Sequence, residues 1–211
     1  MFLAREAATK LTRQGSYPDA YTDRVREHLR PMIADVARKG GRILEIGVGE
    51  KFWSVKEAKL YDGSEDVTFV DPSLKSNIYD GEVFGGSKQP KIIRKPVTEL
   101  NVDEKFDLVL SVFTMCSVNN LCDSVQAIEQ LLVPGGTYAY VEHVAAAEGT
   151  GYRIMQDVLS PVQEVVAGGC HLNRPSGEVV EKVFGESMTT RRREEGMWPV
   201  GEVIYGLAKK T

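Results

Sequence analysis

Five short apolar segments recur along this chain, separated by longer polar or amphipathic stretches. The pattern predicts strands at residues 42–46, 66–70, 91–94, 106–112 and 137–143. Strands that alternate with helices need crossover connections, so their sheet is mostly parallel and covered on both faces. Two more segments, 188–193 and 203–209, alternate around Gly196 and predict an antiparallel hairpin. The sequence therefore predicts an α/β fold: a Rossmann-like, doubly wound, mostly parallel seven-stranded sheet with an antiparallel C-terminal hairpin.

Apolar residues at intervals of three and four predict two amphipathic helices. The first spans residues 21–38, where Pro31 predicts either a kink or two shorter helices, and ends at Lys39-Gly40-Gly41. The second spans residues 153–167 and is interrupted near Ser160-Pro161. The apolar face of this second helix consists of Ile154, Val158, Leu159 and Val162.

A third helix is predicted to end at residues 126–132, with Asp123-Ser124 as its N-cap and Pro134-Gly135-Gly136 as the turn into the next strand. A chain of 211 residues can form one domain with a full core, or at most two small ones, and we expect a single globular domain. Within it we expect residues 1–40 to form an N-terminal helical cap and residues 41–211 to form the domain that carries the function.

Composition argues against several classes of partner. The net charge is -4, and the one basic run is followed directly by two glutamates, so we expect no nucleic acid partner. The chain has three cysteines and three histidines, and the cysteines are not at metal-ligand spacing, so we expect no metal site. Cys116 and Cys170 are expected to be small buried residues. No apolar run reaches the length of a membrane span. The sequence therefore predicts a cytoplasmic protein with reduced thiols and no transmembrane segment.

A glycine turn follows the first predicted strand. Gly47 and Gly49 allow the backbone to adopt positive φ and to approach a ligand closely. A third small residue is expected near position 51, where Lys51 stands instead. A single Gly-x-Gly is a weak motif, and a simple tight turn explains it equally well.

Acidic and polar residues follow the next strands at the edge where doubly wound sheets bind ligands. Asp71 stands 22 residues after Gly49, where a carboxylate accepts hydrogen bonds from both hydroxyls of a ribose. The alternative for Asp71-Pro72 is a helix N-cap. The further candidates for cofactor binding are Pro72, Thr98, Glu99 and Ser111.

The bulky residues after Gly49 favour a cofactor without phosphates over a dinucleotide. A dinucleotide needs room for a pyrophosphate at a helix N-terminus, and Lys51 with Phe52-Trp53 fills that room, which argues against a nicotinamide dehydrogenase. S-adenosyl-L-methionine has no phosphate, so its binding is more compatible with these bulky residues. Its ammonium needs an acid, for which Glu45 is the candidate.

Two histidines are candidate catalytic residues. His143 ends the fifth predicted strand, where a side chain could take a proton from a methyl acceptor. His171 lies in the segment after the second amphipathic helix and could close over the same site. The alternative for each is a neutral packing or capping role.

Four motifs stand in the order used by class I S-adenosylmethionine-dependent methyltransferases, which the chain resembles from about Gly41 to its end: ILEIGVG, VTFVDPS, FDLVLSVFTMCSV and LLVPGGTYAYVEHV. With QDVLSPVQEVVAGGCHLNR and VIYGLAKK, the C-terminal half is similar to the methyltransferase-like 7 group, known as alkyl thiol methyltransferases. This resemblance implies that Gly47 and Gly49 line the methionine moiety, Asp71 holds the ribose and Glu99 lies near the adenine. It also implies that S-adenosyl-L-homocysteine is the product and that a lipophilic thiol is the acceptor.

Two features depart from the pattern of that group. Its members usually carry a hydrophobic N-terminal membrane anchor, and no such segment is found at the start of this sequence. They also keep a third glycine after Gly49, where this chain has Glu50-Lys51. Two alternatives to a thiol methyltransferase therefore stay open. One is O- or C-methylation of a quinone-like or phenolic metabolite, and the other is a non-catalytic protein that keeps the methyltransferase fold.

Overall fold

A computed structural model describes residues 19–49, 61–74, 90–185 and 187–211. Its helices are α1 (Asp19–Arg38), α2 (Leu121–Leu131), α3 (Gly151–Val166) and α4 (Ser176–Phe184). Its strands are β1 (Arg42–Ile46), β2 (Asp66–Val70), β3 (Lys91–Ile93), β4 (Phe106–Val112), β5 (Leu132–His143), β6 (Ser187–Arg193) and β7 (Glu202–Lys209). A short 3-10 helix, Val97–Glu99, follows β3. The altered part of the glycine loop, Glu50-Lys51, and the first 18 residues lie outside these ranges.

The seven strands form one sheet in the order β3-β2-β1-β4-β5-β7-β6. The pairs from β3 through to β5 are parallel, whereas β7 runs antiparallel to both β5 and β6. This confirms the predicted fold, including the C-terminal hairpin. The strand order reverses between β1 and β4, so the crevice beyond their carboxyl ends is the expected ligand site of the sheet.

Apolar side chains cover both faces of the sheet. The buried stripe of α1, which contains Val25, Leu29 and Ile33, shares one core with Ile43 of β1 and Leu108 of β4. On the other face, α2 and α4 pack in a second core. Helix α1 shares a core with the sheet. The proposed division into a cap of residues 1–40 and a domain of residues 41–211 stays a prediction. Among the described helices, none combines the length and the apolar character needed to cross a bilayer.

The predicted bounds of β1, β2 and β4 match the structure, whereas β5 begins earlier than expected. Leu132 pairs with Phe106, and the pairing resumes only at Thr137 with Leu108, so the Pro-Gly-Gly turn is an irregularity inside one strand. Gly135 takes φ 77° there. Neither α1 nor α3 is divided at its proline, because each continues through it, so two shorter helices at Pro31 and an interruption near Ser160-Pro161 are both wrong.

Two local features of the helical segments were not anticipated. The N-cap of α2 is Asn120, whose side chain accepts a hydrogen bond from Asp123 N, rather than Asp123-Ser124. The whole of α4 was missed. This helix has nine residues, and Pro175 at its N-cap position makes no side-chain capping bond, so neither its length nor its start marks it in the sequence.

Candidate active site

The glycine turn closes tightly over the carboxyl end of β1. Gly47 and Gly49 have φ values of 73° and 63°, which favour glycine. Gly47 N donates to Val70 O at 2.7 Å, and a Cβ on Gly47 would lie 2.1 Å from Thr114 Oγ1. At Gly49 a Cβ would meet none of the described residues within 4 Å, and its positive φ is the reason that the turn favours glycine at this position.

Asp71, at the end of β2, holds the turn in place. Its Oδ2 accepts from Gly49 N at 2.9 Å, and its Oδ1 accepts from both Ser73 N and Ser73 Oγ at 2.7 Å. An ionised carboxylate has about four acceptor positions, so these bonds use three of them. Asp71 is 6% exposed, while the adjoining Pro72 is exposed. The structure thus brings two of the predicted cofactor residues, Gly49 and Asp71, into direct contact.

Glu45 is buried within β1, directly before the glycine turn. Its Oε2 accepts a 2.7 Å hydrogen bond from the hydroxyl of Tyr61. Tyr61 in turn packs edge-on against Phe69 of β2. A buried carboxylate needs such hydrogen-bonding partners, because burial without them carries a large cost in free energy.

Thr98 and Glu99 lie on the 3-10 helix beyond β3, and both are exposed. The end of β3 is joined to the Asp71 turn, because Asp71 N donates to Ile93 O at 3.1 Å. These residues therefore stand at the same edge of the sheet as the glycine turn. Their backbone is fixed by a bond from Glu99 N to Pro96 O.

Ser111 and Glu142 form a buried polar network between β4 and β5. Ser111 Oγ lies 2.7 Å from the hydroxyl of Tyr138 and donates to Glu142 Oε1 at 2.8 Å. Thr114 N and Met115 N both donate to Glu142 Oε2. Burial raises the pKa of Glu142 to about 7, although the hydrogen bonds from Ser111, Thr114 and Met115 oppose this shift. The network shapes the turn after β4, which packs against Gly47 through Thr114.

His143 ends β5 in a buried position beside two thiols. Its Nε2 lies 3.1 Å from Cys170 Sγ, and its Nδ1 has no hydrogen-bond partner within the described ranges. The ring packs edge-on against Phe113 at 5.3 Å between centroids. Burial lowers the pKa of His143, but the neighbouring Cys116 and Glu142 outweigh this effect, so the pKa is raised.

Cys116 completes this group. One ligand atom from each of Cys116, His143 and Cys170 lies within 4.8 Å of the other two, and all three side chains are buried. The hydrogen bond between the thiols and burial both raise the pKa of Cys116 well above its usual value. The same hydrogen bond lowers the pKa of Cys170, although burial opposes this shift. We call these three residues the Cys-His-Cys cluster. As predicted, both cysteines are buried, but no pattern in the sequence indicates that they meet.

His171, the second predicted catalytic histidine, is held near the cluster by its backbone. His171 N donates to Cys116 O at 2.9 Å. Its side chain is 30% exposed, and Nδ1 lies 3.8 Å from Glu164 Oε2 on α3. Arg174, which sequence reasoning did not single out, donates from Nη1 to Met115 O at 2.9 Å and to Val118 O at 2.5 Å. These bonds hold the segment after α3 against the turn after β4.

Comparison with known proteins identifies relatives. The family described as "Methyltransferase domain" matches residues 44–140. A mouse protein named thiol S-methyltransferase TMT1B is 33% identical over 194 residues, which are 88% of this chain and 78% of that protein. A rat protein of the same name is 33% identical over 110 residues, which are 51% of this chain and only 45% of the rat protein.

Solved structures share the fold at low sequence identity. The N-methyltransferase NodS from Bradyrhizobium japonicum, solved with S-adenosyl-L-homocysteine, superposes with a TM-score of 0.59 at 11% identity. The match covers 94% of this chain and 90% of NodS. At this identity the likeness concerns the fold alone.

Proposed function

The chain belongs to the class I S-adenosylmethionine-dependent methyltransferases, and from this premise we propose that its methyl acceptor is a small lipophilic thiol. The observation that carries the acceptor class is the similarity, over 88% of the chain, to a mouse protein named thiol S-methyltransferase. The cofactor is S-adenosyl-L-methionine, and its product is S-adenosyl-L-homocysteine.

The residues present fit this cofactor. S-adenosyl-L-methionine, when bound, supplies a methyl group on a positively charged sulfur for in-line attack by a nucleophile. Gly47 and Gly49 are proposed to line its methionine end, since a glycine allows the backbone to approach a ligand closely. Asp71 keeps about one acceptor position beyond its bonds to Gly49 and Ser73. One ribose hydroxyl can use that position, and a second can replace the Ser73 hydroxyl.

We also propose roles around the cofactor for the other predicted residues. Glu45 is proposed to hold the ammonium group, since it lies on β1 two residues before Gly47. Thr98 and Glu99 are proposed to meet the adenine from the end of β3, with Pro72 beside them. For Ser111 we propose a supporting role only, because its buried hydroxyl is already bonded to Tyr138 and Glu142.

A thiol acceptor suits the chemistry of this site. A thiol reacts as its thiolate, which forms far more readily than the alkoxide of an aliphatic alcohol, so a strong base is less necessary. Glu142 is enclosed by three protein donors and is not free to act on a substrate. We therefore propose that His143 takes the acceptor proton at Nδ1. His171 is the second proposed catalytic side chain, because its partial exposure suits exchange of that proton with water.

The cofactor site is tested by calorimetric titration with S-adenosyl-L-homocysteine. Hydrogen bonds to a charged group contribute roughly 1.5–3 kcal/mol each, so Asp71→Ala should weaken binding about tenfold or more. Asp103→Ala is the matched control, because Asp103 is exposed in the turn before β4, at the opposite edge of the sheet. Equal affinity in a folded Asp71→Ala variant would remove Asp71 from the site. No binding by the wild-type protein would favour the non-catalytic alternative.

The acceptor class is tested by incubating the protein and S-adenosyl-L-methionine with an alkyl thiol or with a phenol of similar size. We expect mass spectrometry to detect the S-methyl product and little O-methyl product. The opposite result would establish the phenolic alternative and overturn the thiol proposal.

A further inference from the structure

The Cys-His-Cys cluster joins three parts of the chain that are distant in sequence. Cys116 lies in the turn after β4, His143 ends β5, and Cys170 follows α3. Cys170 comes 27 residues after His143, and Cys116 precedes His143 by the same interval. Such spacing resembles no local metal motif, which explains why the sequence predicted no metal site.

Backbone hydrogen bonds hold these three segments together independently of the cluster. His171 N donates to Cys116 O, and Ala145 N donates to Arg174 O at 3.1 Å. Phe113 N donates to Val141 O at 2.8 Å, which fixes the start of the turn after β4 against β5. The sulfur and nitrogen atoms are therefore brought together by the fold itself. The three ligand side chains are therefore close together before any metal binds.

From this geometry we infer that Cys116, His143 and Cys170 form a binding site for Zn²⁺. Two thiolates and one imidazole are donors that zinc prefers, and three protein ligands leave its fourth tetrahedral position open. Zinc bonds of about 2.3 Å to sulfur and 2.0–2.1 Å to nitrogen place the donor atoms roughly 3.6–3.8 Å apart. In the structure the Nε2 to Sγ distance is 3.1 Å, and all donor pairs lie within 4.8 Å. Shifts of about an ångström therefore suffice to bind the ion.

Charge and hydrogen bonding in the surroundings suit this ion. Zn²⁺ with two thiolates is electrically neutral, which lowers the cost of burying the group. The His143 ring makes no hydrogen bond through Nδ1 within the described ranges, and its Nε2 faces sulfur. Glu142 does not compete as a ligand, because three donors already bind its carboxylate. In the zinc-bound protein a ring nitrogen of His143 is a ligand, so the proposed role of His143 as a base belongs to the metal-free protein.

Metal binding can be measured without cofactor or acceptor, so its result is independent of the proposed methyl transfer. The reduced, chelator-treated full chain is titrated with Co²⁺, followed by absorption spectroscopy, and with Zn²⁺ against a chromophoric chelator. We expect one equivalent of either ion and a thiolate-to-cobalt charge-transfer band. Cys116→Ser and Cys170→Ser should each bind Zn²⁺ about a hundredfold more weakly or worse. Cys122→Ser is the matched control, because Cys122 is an exposed thiol outside the cluster, and it should bind as the wild type does.

The cobalt spectrum of the wild-type protein tests the site even if a cysteine variant fails to fold. A stoichiometry near zero, or bound cobalt without a thiolate band, would overturn the site. The same conclusion would follow if folded Cys116→Ser and Cys170→Ser bound Zn²⁺ with unchanged affinity.

Discussion

Helices α1 and α3 have the same kind of sequence pattern but opposite environments. In α1, apolar residues at intervals of four lie against the sheet, and Val25, Leu29 and Ile33 are at most 2% exposed. In α3, apolar residues with the same intervals face outward, and Ile154, Val158 and Val162 are between 59% and 69% exposed. An apolar stripe at helical spacing therefore predicts a helix in both places, but only in α1 does it identify the buried face.

The inward face of α3 is polar instead. Gln156 is fully buried, its Oε1 accepts from Ala146 N at 2.7 Å, and its Nε2 donates to Val144 O at 3.1 Å. One turn later, Ser160 Oγ accepts from Leu172 N at 3.2 Å. These bonds attach α3 to the segments that follow His143 and Cys170. The position of α1 is thus set by apolar burial, whereas α3 is attached by hydrogen bonds that support the candidate site.

The largest effect in this comparison is expected for Ile33→Ala. Ile33 is fully buried in the core shared by α1 and the sheet, so its truncation removes apolar contacts and leaves a cavity. We expect the free energy of unfolding to fall by about 2–5 kcal/mol. Denaturant unfolding measures this loss. A loss below 1 kcal/mol would show that α1 is not packed as described.

An intermediate effect is expected for Gln156→Ala. The change leaves Ala146 N and Val144 O without their side-chain partner in a buried place, which costs about 1–3 kcal/mol. Gln126→Ala is the matched control, since Gln126 is exposed on α2, and there we expect a change within about 0.5 kcal/mol. If the two variants unfolded at the same denaturant concentration, hydrogen bonds would not be what holds α3.

The contrast also explains how much of the fold could be predicted. Periodicity found α1 and the bounds of β1, β2 and β4, because these elements owe their position to apolar burial. It missed α4, which starts without a capping side chain. For α3 it identified the apolar face but did not show that this face is exposed. The hydrogen bonds of Gln156 determine which face lies inward, and they cannot be predicted from a pattern of apolar residues.

In the candidate site, too, some contacts could be predicted from the sequence and others could not. The link between Gly49 and Asp71 follows from motif order and strand topology, so the sequence could place both residues at one edge of the sheet. The meeting of Cys116 and Cys170 with His143 could not be predicted. It depends on the path of the chain after α3, and that path is set by individual bonds such as His171 N to Cys116 O.

The smallest effect is expected for Ile154→Ala, which repeats the Ile33 substitution on the exposed stripe of α3. Ile154 is 60% exposed, so little apolar contact is lost, and alanine has the higher helix propensity. We expect the free energy of unfolding to change by no more than about 0.5 kcal/mol. A loss above 2 kcal/mol would mean that this stripe is covered in the folded protein in solution. Repeating the measurement at several protein concentrations would then separate the two ways of covering it, because stabilisation by self-association depends on concentration and stabilisation within one chain does not.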